Sequence, residues 1–184
     1  LSRFALFYLE ESVASKWERR WHLHKGDVFF DRLKLLHDRT RRDYPCEAGI
    51  REIGVSASGG IYPCPYFTDV DAFRIGDVPT GIDRAKLMAF LDNGRLSKKS
   101  DCAACWARAL CGGGCLRDAY GASGTLDAPN ARNCDLIRHI CRLSISLYDR
   151  LRSHYGEFLG LHLNPQAYAV FQKMRAGASG PSPS

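Results

Sequence analysis

The chain of 184 residues fits one domain, or one domain with an appendage, and its 45% of hydrophobic residues excludes disorder for most of the length. No apolar run approaches the roughly 20 residues of a membrane span, and the start LSRFALFYLEES is not a signal peptide. We therefore expect a cytoplasmic protein without a membrane partner, and, since the sequence lacks a starting methionine, part of a longer chain.

The formal net charge is +6, and most of the excess lies in the segment from Lys16 to Arg42. A solvated helix surface explains such a run. A binding face for an acidic peptide is the alternative that stays open. Nucleic acid is not an expected partner, because no aromatic-basic motif or helix-turn-helix pattern accompanies the charge.

Residues 1–45 are predicted to be mostly helical. One helix is predicted over Glu10–Leu23, after a short FALFY run that has strand character. Asp27 can cap a second helix. Apolar side chains recur there at helical spacing, at Phe29, Phe30, Leu33, Leu36 and His37.

The segment IREIGVSASGGIYPC predicts a β-hairpin. Ile53 and Val55 lead into the turn, Gly59 permits the positive φ that a tight turn needs, and Ile61 and Tyr62 leave it. Gly76, Pro79 and Gly81 predict a loop in the next segment. A short helix over Ile82–Asp92 follows, and Asn93-Gly94 ends it.

The segment CDLIRHICRLSISLYDRL predicts a clear amphipathic helix. Its predicted buried face comprises Ile137, Ile140, Cys141, Ser144, Leu147, Tyr148 and Leu151. A further helix is predicted over Gln166–Met174. The ending AGASGPSPS is small, polar and proline-bearing, so residues 176–184 are expected to be disordered.

Seven of the eight cysteines follow one spacing. Cys46 and Cys64 bracket the hairpin, and a dense C-x2-C-x5-C-x3-C run and a last cysteine follow, namely Cys102, Cys105, Cys111, Cys115 and Cys134. A zinc ribbon needs two separated C-x2-C pairs, and disulfides suit exported proteins, so neither alternative fits well, although both stay open. Soft thiolates also suit iron–sulfur clusters.

The pattern resembles the SPASM domain, a C-terminal extension of radical S-adenosylmethionine enzymes that mature peptides and proteins. The resemblance covers Cys46 to Cys134, about half of the chain. Besides the seven cysteines it includes Gly59, the Ile61-Tyr62-Pro63-Cys64 exit, the Ile75-Gly76-Asp77 turn and Gly112-Gly113-Gly114. Within the family, the segment after Cys46 is most similar to maturases that form thioether crosslinks, including those serving quinohemoprotein amine dehydrogenase.

The resemblance implies two auxiliary 4Fe-4S clusters with interleaved ligands. Cys46, Cys64 and Cys115 would hold the first cluster. The second would be held by Cys102, Cys105, Cys111 and Cys134. We expect Gly112, Gly113 and Gly114 to let the chain wrap a cluster, and Tyr62 and Tyr66 to pack over one.

The implied fold class is α+β, with a small β-hairpin and helices wrapped around two clusters. The expected segments are a helical bridge from a radical core over 1–45, the SPASM domain over 46–155, a helical extension over 156–175 and the tail. The C-x3-C-x2-C loop that binds the cluster at which S-adenosylmethionine is cleaved does not occur in this sequence. S-adenosylmethionine is therefore expected only in a core outside it, and this chain alone is expected to be inactive.

The resemblance thus predicts an enzyme part that acts together with its upstream core on a substrate peptide or protein. An acidic leader on that substrate is the alternative that the basic segment leaves open. The clusters of this enzyme part would transfer electrons and its walls would help to seat the substrate. The alternative is a non-catalytic module in which the clusters are structural and the basic helical face docks a leader peptide or a partner protein.

The first cluster lacks an obvious fourth ligand. Glu47 and Glu52 are the nearby acids, and Cys141 is a possible extra ligand. Cys141 also lies within an apolar stripe, where a cysteine behaves as a small hydrophobe. We therefore predict that Cys141 is a core residue and that the first cluster has an open or weakly held site.

The other polar residues near the cysteines have ordinary roles by prediction. Asp101 and Asp118 are expected in turn or cap roles, and none of the six histidines shares a ligand spacing with the cysteines.

Overall fold

The computed structural model describes residues 29–68 and 70–163, with side chains up to residue 153. The helix predicted over Glu10–Leu23, the FALFY strand, the cap at Asp27, the helix over Gln166–Met174 and the C-terminal tail lie outside the described residues. The described part is a mixture of helices and an antiparallel sheet, as an α+β class requires. It divides into two compact units, residues 41–138 and the two segments on either side.

The flanking unit contains the helix predicted around Leu33, which runs as α1 over Phe30–Asp38. Its apolar side chains share a core with the later part of the long C-terminal helix. This core comprises Phe29, Phe30, Leu33, Leu147 and Leu151, with Ile140, Leu143 and Tyr148 packed against it.

The central unit contains a four-stranded antiparallel sheet in the order β1-β2-β3-β4. The predicted hairpin is confirmed: β1 (Gly54–Val55) pairs with β2 (Gly60–Tyr62), with Val55 opposite Ile61. The prediction of a loop marked by Gly76, Pro79 and Gly81 is wrong at its two ends, because β3 (Gly76–Asp77) and β4 (Gly81–Ile82) form a second hairpin there.

Four short helices follow the sheet. The first, α2, runs over Arg84–Asn93 rather than from Ile82, because Ile82 belongs to β4 and Asp83 caps the helix by accepting from the N–H groups of Ala85 and Lys86. The others are α3 (Ser100–Ala103), α4 (Arg108–Cys111) and α5 (Leu116–Ser123). Single 3₁₀ turns cover Pro65–Phe67, Asp71–Phe73 and Leu96–Lys98.

The core of the central unit combines side chains from β2, the first 3₁₀ turn, α2 and α5. Phe67 is fully buried, with its ring centroid 4.4 Å from that of Phe73 and 5.6 Å from that of Phe90. The buried members are Ala48, Tyr62, Cys64, Phe67, Phe90, Leu116 and Leu126. This core fixes the segments that carry the cysteines.

The amphipathic helix predicted after Cys134 is confirmed and is longer than predicted. It runs as α6 over Ala131–Leu163. Of the predicted face, Cys141, Ser144, Leu147 and Leu151 are buried, at the spacing of three and four residues that one helix face requires. Among the helices of residues 29–163, none combines the length and the apolar character needed to cross a bilayer.

Candidate cysteine site

The seven patterned cysteines form two groups, within each of which ionisation of one thiol raises the pKa of its neighbours. Cys46 and Cys64 each interact with Cys115, and with each other. The second group joins the other four: Cys102 interacts with Cys105, Cys111 and Cys134. We call these the 46-64-115 group and the 102-134 group. Within the described chain all seven are thiols without a disulfide.

Main-chain hydrogen bonds bring Cys46 to the end of the first hairpin. The Gly49 N–H donates to the Pro63 carbonyl at 2.7 Å, and so joins the turn after Cys46 to the residue before Cys64. Gly49 has φ +73°, a left-handed conformation that glycine adopts most easily. A β-type bridge between Ala48 and Glu52 closes the same turn.

Cys115 reaches this group from the other end of the central unit. It occupies the N-cap position of α5, and the next residue, Leu116, is buried in the same core as Cys64. The Arg117 guanidinium donates to the Tyr66 carbonyl at 3.0 Å, which ties α5 to the turn after Cys64. Three chain segments therefore meet at the 46-64-115 group.

Burial and backbone donors act in opposite directions on these thiols. Partial removal from water raises the pKa of the Cys64 thiol, whereas hydrogen bonds from the N–H groups of Tyr66 and Phe67 lower it. Burial likewise raises the pKa of Cys46, against a hydrogen bond from the Ala48 N–H. N–H donors aimed at sulfur are the kind of contact that stabilises cluster thiolates.

Tyr44 lies beside the same group. Its pKa is raised, first by burial and then by the neighbouring charges of Cys46 and Cys64. Its hydroxyl is buried and has no hydrogen-bond partner among the described residues. A buried O–H without an acceptor is costly, so a sulfur-rich group bound at these cysteines would give it a partner.

Helix starts and ends position the 102-134 group. Cys102 lies on α3, the Cys105 N–H donates to the Cys102 carbonyl at 3.1 Å, and Cys111 is the last residue of α4. Cys134 lies in the first turn of α6, and its N–H donates to the Asn130 carbonyl at 3.0 Å. The Asn130 side chain accepts from the Arg132 N–H and caps that turn.

These four thiols line one cavity of about 440 Å³. Burial is the main cause that raises the pKa of Cys102 and of Cys134, and the neighbouring thiols raise it further. The other lining residues are Asp101, Ala107, Arg108, Gly113, Pro129, Ala131, Asp135, Ile137 and Arg138. The cavity thus combines several soft donors with cationic side chains.

Arg138 is the cation in contact with a thiol. Its guanidinium hydrogen-bonds the Cys105 sulfur and forms an ion pair with Asp135 at 2.9 Å. The same Arg138 lowers the pKa of Cys134. A cationic donor at this cavity favours anionic sulfur in it.

The three consecutive glycines have different surroundings. A Cβ at position 112 would lie 2.7 Å from the Tyr44 carbonyl oxygen, and one at position 113 would lie 2.7 Å from Cδ of Lys99. At position 114 no atom of the described residues lies within 4 Å of such a Cβ. Gly112 and Gly113 therefore let the chain pass close to other protein segments, which is a reason for glycine that the sequence interpretation did not contain.

Lys99 is the charged residue that sequence reasoning missed. It is 1% exposed, and its ammonium donates to the Leu126 carbonyl. Burial lowers its pKa, against the opposing effect of nearby anionic groups, of which Cys102 is the strongest. In the sequence, Lys98 and Lys99 have the appearance of two ordinary exposed lysines. The position of Lys99 three residues before Cys102 was the one sign that it could lie near the site.

The donor geometry bears on the kind of group that fits. Within the described residues, no set of three or more cysteine, histidine, aspartate or glutamate side chains is arranged to hold a metal ion. Four thiols that line one cavity match the type and number of ligands that a 4Fe-4S cluster takes.

The remaining predicted residues are placed as follows. Tyr62 is buried in the central core and the Tyr66 side chain is 76% exposed; that these rings pack over a cluster stays a prediction. Glu52 is close enough to raise the pKa of both Cys46 and Cys64, and Cys141 is fully buried on α6.

The predicted turn and cap residues lie in such positions. Asp118 is in the first turn of α5, where it accepts a hydrogen bond from Asn133 of α6, and Gly59 has the positive φ expected of the turn.

Comparison with protein-family models finds none that matches this chain, and a search among curated proteins finds no similar sequence. The resemblance to SPASM domains therefore depends on the cysteine spacing and the accompanying glycines and hairpin.

Proposed function

We propose that this chain is an auxiliary-cluster domain of the SPASM type, part of a radical S-adenosylmethionine enzyme that modifies a peptide or protein. The observation that carries the proposal is the grouping of the cysteines. Cys102, Cys105, Cys111 and Cys134, which the family resemblance assigns to one cluster, line one cavity. Cys115, which the resemblance assigns with Cys46 and Cys64, is not among the lining residues and precedes Leu116, a member of the core that contains Cys64.

The residues around the thiols suit a 4Fe-4S cluster in each group. The 102-134 group would supply four thiolates from one cavity, with Arg138 as a cationic donor to Cys105. The 46-64-115 group would supply three, with backbone N–H groups and the Tyr44 hydroxyl as donors. Bound clusters supply one-electron transfer, which a maturase needs when it removes an electron from its substrate.

The chain's own residues would hold the thiolates, exclude water and place donors beside sulfur. The first group offers three cysteines, so one coordination position would be left for water, a substrate thiolate or the neighbouring Glu52. Cys46 and Cys115 are exposed, which leaves that group accessible from solvent. A peptide cysteine could reach such a position, and its pKa would fall on coordination.

Anaerobic reconstitution with iron and sulfide tests the proposal. We expect about seven to eight irons per chain, with matching sulfide and the absorption of cubane clusters. Stoichiometric zinc without iron–sulfur absorption would contradict it. Aerobic purification is not an equivalent measurement, because exposed clusters decay and the released thiols oxidise.

Single cysteine variants, analysed for iron in the same way, show which cysteines hold each cluster. Cys64→Ala and Cys102→Ala should each lose one cluster, about four irons, because each removes a ligand from a different group. Cys141→Ala is the matched control, a buried cysteine outside both groups, and should keep all the iron. Iron loss or a changed cluster spectrum in Cys141→Ala would show that this residue is a ligand after all.

A further inference from the structure

Lys99 is a buried cation placed between the two cysteine groups. A Cβ at Gly113 would lie 2.7 Å from Lys99 Cδ and 2.9 Å from its Cε, and Gly113 lies in the three-glycine segment between Cys111 of the 102-134 group and Cys115 of the 46-64-115 group. It is the charged side chain among the largest fully buried side chains of the described residues. A lysine seldom occupies such a position without an anionic partner, because removing an ammonium from water is costly.

The structure fixes the ammonium rather than letting it reach solvent. Nζ donates to the Leu126 carbonyl, and the methylenes occupy the space that a Cβ at position 113 would fill. The backbone is held as well: the Lys99 N–H donates to the Leu96 carbonyl, and the Lys99 carbonyl accepts from the Cys102 N–H at 3.0 Å. The cation and the first thiol of the 102-134 group therefore form one rigid unit.

One carbonyl does not neutralise a buried ammonium. Asp127 is the nearby carboxylate and is itself exposed, where water screens its charge. The Lys99 side chain packs against Gly113, which lines the cavity of the 102-134 group, and the Lys99 carbonyl accepts from the Cys102 N–H. A cation held in the interior beside this cavity favours negative charge within it, because little water is present to screen the interaction.

We propose that Lys99 sets the reduction potential of the cluster held by the 102-134 group, and to a smaller extent that of the other group. This inference rests on the proposed function. One-electron reduction adds a negative charge to a cluster, and a fixed cation nearby stabilises the reduced form, so the potential rises. Lys99 is thus a positioning and tuning residue, not a ligand.

Potentiometric titration of the reconstituted protein, followed by electron paramagnetic resonance, tests this inference. In Lys99→Met and Lys99→Gln the iron content should stay the same, and the midpoint potential of one cluster should move to a more negative value. Lys98→Met removes the same formal charge from an exposed side chain that pairs with Asp92 at 3.3 Å, and should leave both potentials unchanged.

The possible outcomes distinguish a failure of the role of Lys99 from a failure of the proposed function. Unchanged potentials in both neutral variants at full iron content would overturn the role of Lys99 and leave the proposed function intact. If the neutral variants lose the cluster, Lys99→Arg decides: a retained cluster with the wild-type potential supports the role of the positive charge, and a retained cluster with a different potential overturns it. If Lys99→Arg loses it as well, the residue acts through its shape and the inference fails. A wild-type chain that binds no cluster would overturn the proposed function itself.

Discussion

At the scale of the residue, the structure distinguishes two reasons for a glycine, a left-handed backbone and a close approach of other atoms, which the sequence alone does not distinguish. Gly112 and Gly114 have nearly the same left-handed conformation, with φ of +75° and +76°. They differ in their surroundings, since a Cβ at 112 would meet the Tyr44 carbonyl and the Cα of Pro45, and one at 114 would meet open space. The pair therefore separates conformational strain from steric conflict.

We expect Gly114→Ala to lower the free energy of unfolding by about 1–2 kcal/mol, the cost of a left-handed alanine. Gly112→Ala should cost more, by roughly a further 1–3 kcal/mol, because backbone atoms must also move. Urea unfolding of the cluster-free, reduced protein measures both. Equal losses in the two variants would show that the close approach of residues 112 and 44 does not occur in solution.

At the scale of the element, two capped helices differ in whether they carry a site residue. Asp83 caps α2, which holds no cysteine, and Asn130 caps α6, whose first turn holds Cys134. Asp83→Ala and Asn130→Ala should each cost about 1 kcal/mol of stability, the usual value of such a cap. Only Asn130→Ala should also reduce iron in the 102-134 group. Thermal unfolding and iron analysis on the same samples test this, and iron loss in Asp83→Ala would contradict it.

The elements also show how far the sequence carries a prediction. The hairpin around Gly59 and the face of α6 were predicted because side-chain type alternates or recurs there at the period of a strand or a helix. The hairpin of β3 and β4 was missed because its strands have two residues each and include Gly76 and Gly81, so no side-chain pattern exists.

The site divides in a similar way. The spacing of the cysteines predicted the candidate ligands, because ligand spacing can be measured directly along the sequence. Lys99 and Tyr44 could not be found in this way, because their roles arise from burial, and a lysine or tyrosine of the same sequence context is usually exposed.

At the scale of the whole molecule, the buried thiols make stability depend on pH. The pKa values of Cys46, Cys64, Cys102 and Cys134 are all raised in the folded, cluster-free protein, mainly by burial. A raised pKa means that the unfolded chain releases these protons first. The stability that the neutral thiols contribute is therefore complete below the ordinary thiol pKa of about 8.5 and is lost as the pH rises through the folded values.

Urea unfolding of the reduced, cluster-free protein between pH 7 and pH 10 measures this effect. We expect the midpoint to fall steadily above about pH 8.5. A variant with Ser at positions 102 and 134 should lose less stability over the same interval, since two of the four thiols no longer titrate. A midpoint that rises with pH, or that falls equally in the variant, would show that other groups govern the dependence.

The short segment between Cys111 and Cys115 gives the molecule a further property. It consists of three glycines, and its two ends belong to different groups. If both groups hold clusters as proposed, occupying one group would fix one end of this connection and reduce the conformational freedom that the other group must otherwise remove. Loading of the two groups would then be linked and the linkage reciprocal, so that each occupancy would change the affinity of the other group by the same factor.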